Sequence, residues 1–375
     1  MKKPILTLII ILHSLLVSAQ LQNDSLEYRV TPDTLKAGNL ELSLYNFNFL
    51  RNYEYFNNFQ DGYTLFGTQL EPRLIFYPNS KLLISAGIHI RKDFGKDGID
   101  KTYPLFTIKY KNKNTSFITG VLEGNVHHRF IEPIFDIERK INAPVEYGTQ
   151  LVVSKQKLFL DAFVNWNRMI DRYSPLQEQI FAGASADVSL WRKDGLKFSL
   201  PLQLLVFHQG GQIDTDPSPL RTIANTALGL KLQSDRTTGF VRQLKTENYF
   251  VTYSEFSPTK TAVFQDGRGI FLNASIGTKF GNLTGSYWEG NQYLSVTGMP
   301  IYQSVSQQID NPGYSEDVRR LLFLRYTYQR QLVSNFYLDF RVEPVFDLKN
   351  SGQKMDFSHS LFLVYKQDFK LFKRK

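Results

Sequence analysis

The chain has 375 residues, a net charge of +9, no cysteine, and 14% aromatic residues, including 20 Tyr and 30 Phe. The absence of cysteine excludes a disulfide scaffold and a thiolate metal site. Because the positive charge is spread thinly over this length, it does not indicate a nucleic-acid partner.

The N-terminus has the features of a secretory signal peptide. Lys2 and Lys3 precede an apolar run over residues 5–17, and Val17-Ser18-Ala19 supplies the small residues of a cleavage site. The alternative is an anchor helix, but the run is shorter than the roughly 20 apolar residues that such a helix needs. The chain therefore divides into a cleaved signal peptide, a loose periplasmic arm and one large domain: 1–19, 20–38 and 39–375.

The large domain is a succession of segments that alternate apolar and polar residues with a period of two. In the segment 82–91, every even position is apolar, whereas Ser85, His89 and Arg91 lie at odd positions. Side chains alternate across a strand, so this segment has one apolar and one polar face. The alternation recurs in further segments: 69–77, 158–167, 182–190, 196–206, 270–280, 322–329, 336–346 and 357–366.

Short and long connections alternate along the domain. About seven short turns, such as Pro78-Asn79-Ser80 and Lys193-Asp194-Gly195, are separated by about eight longer polar loops. Aromatic residues also lie on the apolar face beside several short turns: Phe76, Tyr110, Phe280, Tyr328 and Phe336. A soluble sandwich shares the period but has no reason to place aromatics at each turn. We therefore predict an all-β fold: a transmembrane antiparallel up-and-down β-barrel of about 16 strands, with short periplasmic turns and long extracellular loops.

With this architecture and an aromatic-rich last strand, Phe357 to Phe369, the chain resembles the outer-membrane porin class of Gram-negative bacteria. Lys370 to Lys375 follow that strand, so the final residue is not the usual aromatic. The resemblance implies an outer-membrane location, contact with lipid and lipopolysaccharide, and insertion by the barrel-assembly machinery. It also implies passage of small solutes and a possible homo-oligomer such as a trimer. It implies no cofactor.

Charged residues on the polar faces are candidates for the lining of a pore. By parity they are Glu71, Arg73, His89, Arg91, Lys109, Asp161, Asp187, Arg325, Asp339, Arg341 and Glu343. In a water-filled lumen such residues set ion preference, although facing acids and bases can merely neutralise each other. Four of them lie on adjacent strands and are the better candidates for a constriction wall: Arg325, Asp339, Arg341 and Glu343.

The third long loop, residues 127–145, combines charged residues with apolar ones. Its constriction candidates are His127, His128, Arg129, Glu132 and Asp136. Apolar anchors would let the loop fold into the lumen, as the third loop does in the general porins that the chain resembles. Alternatively, the loop packs on its neighbours at the surface. We expect no metal at His127-His128, because a surface pair lacks a third ligand.

One strand breaks the pattern. Asn46 and Asn48 fall on the face that Leu40, Leu42 and Leu44 make apolar. We interpret this as a β-bulge that shifts the register.

The sequence favours a pore for passive diffusion of small hydrophilic solutes or ions over two other functions. One alternative is a structural or secretion-linked barrel that docks partners through residues 292–319. The other is a barrel enzyme, for which the candidate base is His359. By parity His359 points to lipid, whereas Ser358 and Ser360 point inward, so they cannot pair. We therefore expect that the protein is not an enzyme.

Overall fold

The computed structural model describes residues 23, 25–26, 28–236, 238–350, 352 and 355–373, so the predicted signal peptide lies outside the described part. Each of the sixteen strands in these residues pairs antiparallel with its sequence neighbours, and β1 pairs with β16, which closes a barrel. The predicted fold class is therefore confirmed. The strands are β1 Asn39–Glu54, β2 Thr64–Asn79, β3 Leu82–Asp93, β4 Lys101–Asn112, β5 Thr115–Val121, β6 Tyr147–Lys155, β7 Leu158–Arg168, β8 Gln179–Lys193, β9 Leu196–Gln209, β10 Arg221–Asp235, β11 Val241–Glu255, β12 Asp266–Thr278, β13 Gly281–Asn291, β14 Val318–Val333, β15 Phe336–Asp347 and β16 Asp356–Lys373.

The alternation in sequence becomes an inner and an outer face of the barrel. Along β3, Leu83, Ser85, His89 and Arg91 are buried inside, whereas the residues between them are more exposed on the outside. Tyr110 and Phe280 are exposed on the outer face near short turns, as expected for aromatics at a membrane interface. No helix in the described residues has the length and apolar character needed to cross a membrane.

The lumen is filled by two long loops. One connects β5 to β6, residues 122–146, and contains a 3₁₀ turn, Asn125–His128, and the short helix α1, Arg139–Asn142. The other connects β13 to β14, residues 292–317, and contains a 3₁₀ turn, Pro300–Tyr302. Both contribute to one buried apolar cluster with the barrel wall, whose loop members include Ile131, Ile134, Phe135, Tyr293, Ile301 and Tyr302.

Backbone contacts hold these two loops to each other. The amide of Asp136 donates to the carbonyl of Thr297 over 2.8 Å, and the amide of Met299 donates to the carbonyl of Glu132 over 3.1 Å. The Tyr293 hydroxyl donates to the carbonyl of Pro133 over 3.0 Å. Buried backbone groups need such partners, so the two loops form one plug rather than two separate segments.

The described part of the N-terminal arm also lies inside the barrel. Ser25 donates to the Asp339 carboxylate over 2.9 Å, and Leu26 is buried. The Tyr28 ring stacks on Tyr45 with 5.3 Å between ring centroids. These contacts hold the arm against the inner wall, so this part of the chain is not the loose segment suggested by its polar composition.

The interpretation of Asn46 and Asn48 as a bulge is wrong. Burial alternates without interruption from Asn39 to Tyr53, and no register shift occurs near the two asparagines. Both side chains therefore lie on the outer face. The inner face of β1 is largely aromatic because the plug and the arm cover it: Tyr45, Phe47, Phe49 and Tyr53 are all buried.

Candidate functional site

The structure places the eleven pore-lining candidates on or near the inner face, where most are shielded from water. Nine of them are buried, Arg73 and Asp187 are half-buried, and His89, Asp339 and Arg341 are 0% exposed. A side chain that lines an open aqueous pore would be accessible to water. These charges instead face other protein groups, mainly those of the plug and the arm.

The four residues expected to form a constriction wall belong to a single ion-pair network. Arg325 donates to Glu343 over 3.1 Å, and Arg341 donates twice to Asp339 over 2.8 Å. Arg51, which the sequence analysis did not single out, lies 3.6 Å from Glu343. Because the paired charges are buried, removal of one partner would leave the other uncompensated.

Glu132 joins this network to the plug. Its carboxylate accepts from Arg325 over 2.5 Å and from the Tyr302 hydroxyl over 2.8 Å. Of the other loop candidates, Asp136 is buried beside Glu138, and the Arg129 guanidinium lies 3.7 Å from the centre of the Phe159 ring. The loop candidates are thus brought into the lumen, where their contacts are with protein.

His128 anchors the other side of the same loop. Its ring nitrogens lie 2.8 Å from Glu146 and 3.0 Å from Asp161, and its ring stacks on Phe163 at 3.8 Å. Burial lowers the pKa of His128, but the two carboxylates outweigh that effect and raise it to about 9. An imidazolium that donates from both nitrogens is a structural group rather than a base. In the described part of the chain, no three acidic, His or Cys side chains are arranged to hold a metal ion.

The charge on His128 predicts a specific pH dependence. Its pKa rises on folding from 6.5 to about 9, so its stabilising contribution is complete below pH 6.5 and is lost as the pH rises through 9. We expect His128→Gln to lower the unfolding midpoint most near pH 6, with the difference from wild type shrinking as the pH rises towards 10. Thermal unfolding in detergent at several pH values measures this, and a difference that does not vary with pH would contradict the assignment.

The remaining inner charges hold the plug and the arm. Arg91 donates to the carbonyl of Ile141 in α1 over 2.8 Å, and Lys109 donates to the carbonyl of Val30 in the arm over 2.9 Å. Glu71 accepts from Arg73 over 2.6 Å and lies 2.9 Å from His89. These residues form pairs with nearby segments rather than a common ligand site.

A second group of polar side chains lies on the outer face, at the ends of strands that carry the long loops. This end faces the outer leaflet in outer-membrane barrels. His359, Asn52, Thr64 and Lys92 each lie within three residues of that end, on β16, β1, β2 and β3. The strands β16 and β3 are three strand spacings apart, about 14 Å. Lys92 also lies four residues further down the strands, opposite Thr68 rather than Thr64. We call these four residues the rim patch.

Hydrogen bonds order the centre of the rim patch. Asn52 is the register partner of both His359 and Thr64. The Thr64 hydroxyl donates to the Asn52 side-chain oxygen over 2.6 Å, and the Asn52 amide donates to the Glu54 carboxylate over 2.7 Å. His359 is half-buried, and its Nδ1 is itself buried and has no hydrogen-bond partner among the described residues. The patch therefore combines a half-buried imidazole with a carboxylate, an amide and a hydroxyl.

Below the rim patch, an amide ladder runs down the outer face. Asn48 donates to the Asn46 side-chain oxygen over 2.7 Å, and Asn46 donates to the Thr68 hydroxyl over 2.9 Å. Thr68 is in turn the register partner of Lys92. Polar groups in a lipid-facing band are costly unless they are satisfied, and such groups commonly have a function. The ladder thus extends a polar surface from the rim into the apolar band.

Other polar groups on the outer face lack this combination. His208 on β9 also faces outwards, but its Nδ1 lies 2.9 Å from the Thr222 hydroxyl. Thr246 and Asn248 on β11 bond to each other over 3.0 Å, and Glu247 between them is buried on the inner face. Ser358 and Ser360 are buried on the inner face, away from His359.

The sequence contained one signal for the rim patch. Two asparagines on an otherwise apolar face indicated that the face was unusual, but a register shift explained them equally well. The four residues of the rim patch itself lie on four strands that are separated in sequence, and only barrel closure brings β16 beside β1.

Solved structures with the same fold are outer-membrane proteins. OprD from Pseudomonas aeruginosa aligns with 92% of this chain and 98% of its own, at 10% identity and a TM-score of 0.53. A loop-deletion form of OmpT from Vibrio cholerae aligns with 87% and 99% at 10% identity, with a TM-score of 0.51. At this identity the likeness shows the fold alone, that of an outer-membrane β-barrel. None of the curated proteins compared with the chain matches it.

A family model with the description lipid A 3'-O-deacylase-type matches residues 31–374. This description is that of an enzyme family, so the expectation that the protein is not an enzyme is wrong. The expectation rested on the opposite faces of His359 and its neighbouring serines, which excludes a pair between those residues and nothing more. The match covers nearly the whole barrel, and the chain therefore belongs to the lipid A 3'-O-deacylase-type family.

Proposed function

We propose that this protein hydrolyses an acyl ester of a lipid A-type glycolipid, and that the rim patch is its active site. The observation that carries this proposal is the position of the half-buried His359 imidazole on the outer face, beside Asn52 and at the level of the outer leaflet. The family description supplies the substrate class. A lipid in the outer leaflet reaches such a site sideways, without entering the barrel.

The filled lumen favours a site on the outer face. The plug buries Tyr293, Ile301 and Tyr302 completely, and the arm occupies the space below Asp339. A glycolipid with several acyl chains would have to displace these segments to reach the inner wall. At the rim patch it would meet only membrane and water.

The chemistry requires a base, a water molecule and support for negative charge. His359 takes a proton from water, and the water oxygen attacks the ester carbonyl carbon. The bond between that carbon and the sugar oxygen breaks, and the sugar oxygen takes the proton, so a fatty acid and a free sugar hydroxyl are released. The Asn52 amide stabilises the oxyanion. Lys92 binds a negatively charged group of the glycolipid.

The direct test is activity of the full-length protein. We expect purified barrel, in detergent micelles that contain lipid A, to release one fatty acid per molecule, as detected by mass spectrometry. Lipid A that keeps all its acyl chains after prolonged incubation with folded protein would refute the proposal.

The amide ladder offers a second prediction. Replacement of both Asn46 and Asn48 by Leu removes a donor and an acceptor together, so no polar atom of this pair is left unsatisfied. We expect a barrel at least as stable as wild type in thermal unfolding, with hydrolysis reduced about tenfold or more because the polar surface beneath the rim is lost. The paired change Thr246→Val and Asn248→Leu on β11 is the matched control, and it should leave hydrolysis unchanged.

Passage of small hydrophilic solutes or ions is the second candidate function, and the porin fold supports it. Such passage would require a gap in the plug, through which solutes would move past the inner charges. Single-channel conductance in a planar bilayer tests this, and a barrel that stays closed at every voltage would exclude it.

A homo-oligomer remains part of the same proposal, because a trimer form of OmpT shares the fold. Docking through residues 292–319 is less favoured, since much of that loop is buried in the plug.

A further inference from the structure

The periplasmic half of the lumen contains a separate basic cavity. It has a volume of about 380 Å³ and lies beside the short turns that connect β6 to β7 and β8 to β9. Short turns face the periplasm in barrels of this kind. Six basic and three acidic side chains line the cavity, and the basic ones are Arg129, Lys155, Lys157, Arg192, Lys197 and Lys231. This volume falls within the range of small-molecule sites.

The three acidic side chains already have partners. Asp187 is shared by Lys231, which donates to it, and by Lys197 at 3.5 Å. Asp235 accepts from Gln233 over 2.8 Å, and Glu247 accepts from the Tyr249 hydroxyl. The cavity therefore has an excess of positive charge that its own carboxylates do not neutralise.

Two of the basic groups are held in place by the wall. The Arg129 guanidinium lies over the Phe159 ring, and the Arg129 carbonyl accepts from Gln203 over 3.0 Å. Lys231 is only 7% exposed. Fixed cations in a concave site bind an anion at a lower entropic cost than mobile surface lysines do.

We propose that the basic cavity binds a small anion from the periplasm, through its phosphate or carboxylate oxygens. The plug forms the roof through Arg129, so the cavity is a binding pocket open to the periplasm rather than a segment of a continuous channel. The proposal depends on the inner wall and on Arg129 of the plug, and on no residue of the rim patch. Failure of hydrolysis at the rim patch would therefore not contradict anion binding in the cavity.

Calorimetric titration of the full-length protein in micelles tests this with three probes: glucose 6-phosphate, glucuronate and neutral glucose. We expect at least one of the two anions to bind, with an affinity that falls as salt is raised, and glucose not to bind. The anion that binds more tightly identifies the preferred group. Equal binding of glucose, or no binding of either anion, would overturn the proposal.

Two variants locate the binding. Arg129→Gln and Lys231→Gln each remove one positive charge, and in the second variant Asp187 keeps Lys197 as a partner at 3.5 Å. Each should weaken anion binding about tenfold or more. Lys81→Gln, at a periplasmic turn outside the cavity, is the matched control and should bind as wild type does. Wild-type affinity in both cavity variants would show that the anion binds elsewhere.

Discussion

His359→Gln should reduce the release of fatty acid from lipid A by roughly 100-fold or more, because the substitution removes the proposed general base. Glutamine keeps a polar side chain on the outer face but cannot accept a proton near neutral pH. The barrel should fold as before, since His359 is half-buried and its Nδ1 has no hydrogen bond to lose among the described residues. The measurement is the initial rate of hydrolysis, followed by mass spectrometry, with purified lipid A in micelles.

The structure provides two controls for this experiment. His208→Gln changes the other outward-facing histidine described here, which bonds to Thr222, and should leave the rate unchanged. Ser358→Ala changes the buried neighbour of His359 on the inner face and should also have no effect on the rate. If His359→Gln retained full activity while His208→Gln lost it, the active site would lie on the β9 side of the barrel.

Arg325→Met should destabilise the barrel by about 3–5 kcal/mol, because it leaves the buried Glu132 carboxylate without its cation and removes one of the two cations beside Glu343. Arg325 bonds to Glu132 in the plug, to Glu343 on β15 and to the Ser286 hydroxyl. Loss of the Glu132 contact should also release the 122–146 loop from the wall. Denaturant unfolding in micelles measures the first effect, and protease cleavage within that loop measures the second.

The control for Arg325 is Arg330 on the same strand, which is exposed. Arg330→Met should change the unfolding free energy by less than about 0.5 kcal/mol. The double variant Arg325→Met and Glu132→Gln removes the unpaired charge, keeps Glu343 beside Arg51, and should recover much of the lost stability. An Arg325→Met barrel as stable as wild type would show that the network contributes little.

The fold was predictable because the barrel repeats one simple pattern. Alternation in segments such as 82–91 and 336–346 fixed the strands, and the difference between short and long connections fixed the up-and-down order. Parity also placed His359 outside and Ser358 inside, as in the structure. These are local properties, since the face to which a side chain points depends on its position within its own strand.

The contents of the lumen were not predictable from the same pattern. The inner face of a membrane barrel is usually polar. In β1 it is apolar, with Tyr45, Phe47 and Phe49, because the plug and the arm cover these residues. The partner of Arg325 in the plug is Glu132, 193 residues away in sequence. A polar inner face looks the same in sequence whether water or a folded loop lies against it.

The sequence by itself determined the barrel, its approximate strand number, and the side of the wall on which most charged residues lie. Only the tertiary structure decided that the lumen is occupied, that the inner charges pair with the plug, and that a polar patch lies on the outer rim. The physical reason is that strand parity follows from backbone geometry within a few residues. The partners of a buried charge, and the neighbours of His359 across the β16–β1 seam, depend instead on contacts between segments hundreds of residues apart.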